Sequence, residues 1–152
     1  MKTLNIKCLT LIAGLSSIIV CGQAYAETAI DASKPLMLRS IMQDLGKEMQ
    51  VITDGISREE WAQVEKAAAK IADHPRPPLT ERMQIMSFIG DDASKFKSTD
   101  KKTHDAARTL RDAATQKNGQ TVISAFAALQ NACLTCHQQF RKTIRDHFDN
   151  QQ

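Results

Sequence analysis

Near its C-terminus the chain reads Cys133-Leu134-Thr135-Cys136-His137. Two cysteines two residues apart, followed at once by a histidine, form the attachment pattern of a c-type haem. The spacing follows from the chemistry. Two thiols add to the two vinyl groups of one macrocycle, giving two thioether bonds, and the adjoining imidazole reaches the iron. Residues three and four apart share a face of a helix, so Cys133, Cys136 and His137 address one flat ligand. A chain with this motif has to fold around that ligand. Cys133 and Cys136 are therefore the expected thioether positions of one covalent haem c. His137 is the expected proximal ligand of its iron.

Other chemistries use the same cysteine spacing. A structural zinc site wants four protein ligands. Only His74, His104 and His147 are left to complete one, with no second cysteine pair. A thioredoxin-like dithiol belongs beside a βαβ pattern, and no run here alternates as strands do. A disulfide between Cys133 and Cys136 would close a tiny loop and contribute little.

An export signal strengthens the haem reading. Lys2 and Lys7 precede an apolar run, Cys8 to Val20, broken only by Thr10, Ser16 and Ser17. Ala24-Tyr25-Ala26 has the small-x-small form of a cleavage site. Residues 1–26 are thus expected to be a removed signal peptide and 27–152 a single domain of 126 residues. The apolar run is short for a membrane span. Lipid attachment at Cys21 is a weaker alternative, because Val20 is a poor match for the small residue such processing prefers. Cleavage removes Cys8 and Cys21, leaving the motif cysteines alone. It also leaves 18 Lys and Arg against 17 Asp and Glu, a formal charge of +1. Nothing in that balance calls for nucleic acid. The expected location is the periplasm, with no membrane anchor after cleavage.

The mature chain repeats its apolar residues at helical spacing almost throughout. The first helix is expected from a cap at Ser33, with Pro35 in its first turn. Its stripe is Leu38, Met42, Leu45, Met49, Ile52 and Ile56, and Gly55 is expected to stop it. Ser57 and Glu60 suggest a capping box opening a second helix, with Trp61, Val64, Ala68 and Ile71 inward. The prolines at 75, 77 and 78 end it. Residues 79–90 form a long connection holding a short helix capped by Thr80, with Met83, Met86 and Phe88 as padding. A third helix is expected from a cap at Asp91 or Asp92, with Phe96, Thr103, Ala107, Leu110 and Ala114 inward. After the turn signal Asn118-Gly119, Thr121 is expected to cap a fourth. Its inner stripe is Val122, Phe126, Leu129, Cys133, Cys136, Phe140 and Ile144. His104 and His147 are expected as exposed helix residues. The fold expected is all-α, an antiparallel four-helix bundle with the haem in its interior.

Four helices, a haem motif near the end of the last, and the run CLTCHQQFRK from Cys133 to Lys142 resemble the class II c-type cytochromes, the cytochrome c-prime family. The resemblance covers essentially the whole mature chain. One branch of that family leaves the iron five-coordinate and binds small gases. The other completes a low-spin, six-coordinate iron with a methionine on the first helix. The stretch from Ile41 to Met49 resembles the second branch and implies Met42 as distal iron ligand. From the residues alone, Met42 and Met49 share the inward stripe, where methionine is ordinarily core filler; Met49 and Met37 stay as fallback ligands. The family often carries an arginine four residues before the distal position, near a haem propionate. Here that place is Leu38, and Arg39 follows it, either reaching a propionate or solvated. Phe140 and Arg141 resemble the aromatic and basic pair that the family places beside the haem.

The function implied is electron transfer between periplasmic redox proteins, by a monomer or homodimer. The alternative is a five-coordinate protein binding nitric oxide or carbon monoxide. A haem-free thiol module is a third reading. No constellation for enzymatic catalysis stands out.

Overall fold

The structure is a computed structural model and describes residues 35–149. The expected signal peptide and its cleavage point, Cys21 and Ser33 lie outside the described residues. Among the described residues six α-helices run in order: α1 Met37–Ser57, α2 Trp61–Ala72, α3 Leu79–Ile89, α4 Ala93–Thr115, α5 Gly119–Cys136 and α6 Lys142–Asp149. A single π turn, His137–Arg141, joins α5 to α6, so these form one long final helix. With α3 as a short crossover, the long helices α1, α2, α4 and α5–α6 make the expected four-helix bundle. No strand occurs among the described residues.

Each long helix runs opposite to the next. Short turns join α1 to α2 and α4 to α5, which makes these pairs antiparallel neighbours. Lys70 of α2 pairs with Glu48 of α1 at 2.7 Å across the first pair. The main core is built where α2 and α4 lie together, flanked by α1 and α5. Of its thirteen buried residues, seven are alanine, among them Ala67, Ala68, Ala107 and Ala114. Ile52, Ile71, Leu110 and Leu129 fill the spaces between them. A smaller cluster of Ile85, Phe140 and Ile144 lies at the other end of the bundle.

Several helix ends differ from expectation. Gly55 does not stop α1, which continues to Ser57. It is buried against α2, where a Cβ would lie 2.9 Å from Val64 Cγ2; glycine is needed for close approach, not for a turn. The capping box at Ser57 does not form. The Ser57 hydroxyl donates to the Thr53 carbonyl at 2.9 Å, and Glu60 becomes the N-cap of α2 without a side-chain bond. Backbone bonds close the turn instead, including Glu60 N–H to the Gly55 carbonyl at 2.8 Å. Asn118, not Thr121, caps α5: its Oδ1 accepts from the Thr121 N–H at 3.1 Å. Asp92 stands at the N-cap of α4 with no side-chain bond, and Thr80 lies inside α3.

The first helix is capped from a distance. Leu36 is its N-cap residue and offers no side-chain acceptor. The Glu81 carboxylate, from α3, accepts the N–H groups of Met37 and Leu38, both at 2.8 Å. A helix start leaves N–H groups unpaired and carries partial positive charge, so one carboxylate satisfies both needs. Glu81→Ala removes the two bonds and the charge. Loss of a cap costs about 0.5–2 kcal/mol, so the denaturation midpoint of the haem-loaded protein should fall accordingly. Exposed Thr80→Ala should change stability by no more than about 0.5 kcal/mol.

Candidate haem site

A cavity of about 1350 Å³ opens at the end of the bundle where α1 begins and α6 finishes. Ordinary small-molecule pockets are roughly 300–1,000 Å³, so this one has room for a macrocycle. α1 contributes Leu38, Arg39 and Met42, and α3 contributes Ile85 and Met86. α4 contributes Phe96, and the final helix Cys136, His137, Phe140 and Arg141. Phe96 and Phe140 meet edge to face, ring centroids 5.2 Å apart at 79°. Eight basic side chains but only three acidic ones border the cavity. Arg82 is one of the eight, and its Nε is buried with no hydrogen-bond partner among the described residues. Such an atom is costly unless an acceptor comes to it. An apolar slot with a basic border suits a flat hydrophobic ligand bearing carboxylates.

The motif lies on one side of this slot. Cys133 and Cys136 are free thiols, each half-buried. Cys133 packs on the main core and Cys136 on the smaller cluster. Buried Thr99 of α4 places its hydroxyl 3.7 Å from Cys136 Sγ. Burial pushes both thiols above the usual range; neighbouring Cys136 adds to the rise at Cys133, while the Thr99 hydrogen bond partly offsets it at Cys136. A redox dithiol works through a lowered thiol, the opposite of this environment. His137 moves the other way. Burial lowers its pKa and the Arg141 charge lowers it further, favouring the neutral imidazole that binds metals.

The π turn begins at His137, immediately after Cys136. A turn of this kind inserts one residue into an α-helix and re-aims the side chains beyond it. Nothing in the sequence marks it: residues 133–144 contain neither proline nor glycine.

The expected site residues fall into two groups. Met42, His137, Cys136, Arg39, Phe140 and Arg141 all border the cavity, and Cys133 lies one helical turn before Cys136. Met42 is 38% exposed. Arg39 pairs with Asp149 at 3.4 Å. Phe140 is buried. The fallback methionines do not border the cavity: Met49 packs against the main core, and Met37 sits at the exposed start of α1. Met83 is not padding. It is 63% exposed and, like Met86, lines the cavity. Two histidines also differ from expectation. His104 is partly buried, with Nδ1 2.6 Å from the Ala72 carbonyl. His147 stacks on Phe88, centroids 3.7 Å apart. Arg82 carries no signal in the sequence, since its burial depends on how α3 is laid across the cavity.

Residues 37–141 match the family model described as Cytochrome C′. The chain belongs to the cytochrome c′ family. Among curated proteins and among solved structures, nothing matches it significantly. Cytochrome c′ proteins carry one covalent haem c with its iron and serve in electron transfer or gas binding. The cavity, the paired thiols and the unpartnered Arg82 donor fit that group. Cys133 and Cys136 would hold it, and basic residues of the border would face its carboxylates.

Alkylation checks this attachment. Mature cytochrome should resist iodoacetamide, and its intact mass should exceed that of residues 27–152 by one haem. The variant Cys133→Ala/Cys136→Ala should carry no haem on a denaturing gel stained for it. Labelling of both cysteines in the parent would return the thiol-module reading.

Proposed function

We propose that this cytochrome is an exported electron carrier whose iron is held by His137 and Met42. Residues 1–26 direct it to the periplasm and are removed; residues 27–152 do the work, without enzymatic turnover. No helix among the described residues is long and apolar enough to cross a membrane. The observation carrying the proposal is that Met42 and His137 border one cavity from two different helices, α1 and the final helix.

Bound haem c supplies one-electron exchange at its iron. The chain's part is to hold and shield. His137 offers a neutral nitrogen. Met42 offers a soft thioether, and histidine–methionine ligation raises a haem potential. The edge-to-face pair Phe96 and Phe140 keeps water from the buried side. Arg82 and Arg141 supply positive charge for the carboxylates, with Arg39 nearby and already paired to Asp149. Its partners are other periplasmic redox proteins.

Gas binding is favoured by one observation: the Met42 side chain is more than a third exposed rather than locked in the core. Carbon monoxide separates the two readings. The ferrous parent should show a low-spin spectrum that the gas leaves unchanged. Met42→Ala should become high-spin and shift on exposure, with helical circular dichroism retained. A parent spectrum that shifts would replace the carrier with a gas-binding cytochrome, and a Met42→Ala spectrum identical to the parent would remove Met42 as ligand.

A further inference from the structure

In the wall of the haem cavity itself stands a second group of ligand-bearing side chains, His74, Asp100 and His104. Asp100 and His104 lie four residues apart on α4, hence on one face. His74 follows the end of α2. One donor atom from each lies within 4.8 Å of the others. The two imidazole rings are stacked, centroids 4.7 Å apart and 19° from parallel.

Both rings are held by the backbone. His104 Nδ1 is 2.6 Å from the Ala72 carbonyl, and His74 Nδ1 is 2.9 Å from the Pro75 carbonyl. A carbonyl oxygen only accepts, so each Nδ1 carries the hydrogen. In the neutral rings Nε2 is then the lone-pair nitrogen. Metal-binding histidines are ordinarily oriented this way, with the second ring nitrogen donating to a carbonyl or carboxylate. His104 Nε2 faces Asp100 Oδ2 at 3.7 Å. Two acceptors facing one another repel unless a proton or a metal ion comes between them. That separation is close to the ~3.4 Å between two donors on a tetrahedral zinc ion with bonds of about 2.0–2.2 Å.

We propose that His74, Asp100 and His104 bind a divalent transition-metal ion, clasping the end of α2 to α4 beside the haem. Two imidazoles and a carboxylate suit zinc, copper or nickel rather than magnesium or calcium. Three protein ligands leave at least one position for water. The His104 bond to Ala72 also pairs a carbonyl at the helix end, but that role does not explain why His74 and Asp100 converge on the same point. Imidazole lone pairs lie in the ring planes, so the His74 ring has to turn out of its stack to share an ion with His104. Lys101 and Arg108 both pair with Asp105, at 2.5 and 3.0 Å, which draws two neighbouring cations away from Asp100.

The experiment uses haem-loaded protein without a histidine tag, stripped with a chelator and titrated with zinc chloride in a calorimeter. One ion should bind per chain. His74→Gln, His104→Gln and Asp100→Asn should each weaken binding at least tenfold, with the haem spectrum retained. His147→Ala, which alters a histidine stacked on Phe88 and outside the group, should bind as the parent does. Zinc should raise the melting temperature of the parent but not of His74→Gln/His104→Gln. With copper(II), the paramagnetic resonance signal should show splitting from two nitrogens. Absence of saturable binding in the parent overturns the proposal, as would happen if carboxylates of the haem occupied the imidazoles. Equal binding in the doubly substituted chain overturns it as well.

Discussion

The bundle rests on how closely α2 approaches α4. Helix axes can come near only where the side chains between them are small, and this contact is lined largely with alanine. Gly55 extends the same economy to α1, where Val64 presses onto bare backbone. Close packing at this end gives many dispersion contacts over a short distance. At the opposite end the side chains are larger, with Ile85, Phe140 and Ile144 in place of alanine, and there the cavity opens as a wedge between them. A tight half and an open half are two consequences of one distribution of side-chain volume.

The final helix spans both halves. Its early residues, Val122 and Leu129, complete the alanine-rich core; its later ones, Phe140 and Ile144, floor the wedge. Cys133 and Cys136 fall at the transition, each against a different cluster. A haem fixed there would be bonded at the seam between packed protein and slot. Thr99 across from Cys136 and Phe96 against Phe140 tie α4 to the same seam.

Much of this is legible from spacing. The period of the apolar residues marks the helices, and the motif marks the wall of the cavity. The inward stripe of the last helix, from Val122 to Ile144, is buried or half-buried as expected. What spacing does not reveal lies where distant segments decide the outcome. Asn118 rather than Thr121 caps α5 because both can serve locally and the turn geometry selects one. Ser57 stays helical because its hydroxyl finds the Thr53 carbonyl, so the local capping pattern is overridden. Glu81 caps α1 from more than forty residues away, and no short-range pattern encodes that. The π turn has no local signal, and its sequence is compatible with ordinary helix. His104 reads as a solvent residue in the sequence because its partner, the Ala72 carbonyl, is on another helix.

The Glu81 carboxylate also says something about how the slot could admit a large rigid guest. α3 walls the cavity but contributes no residue to the alanine-rich core; it is linked to the beginning of α1 by two hydrogen bonds on one side chain and by the small apolar cluster of Ile85, Phe140 and Ile144 that Leu36 and Leu38 join. Moving that wall gives up those bonds and a three-residue cluster, whereas separating α2 from α4 gives up the thirteen-residue core. Regions with few buried contacts open first. The two halves of the molecule thus differ in how much contact must be given up to part them, and the Glu81 latch belongs to the weaker half.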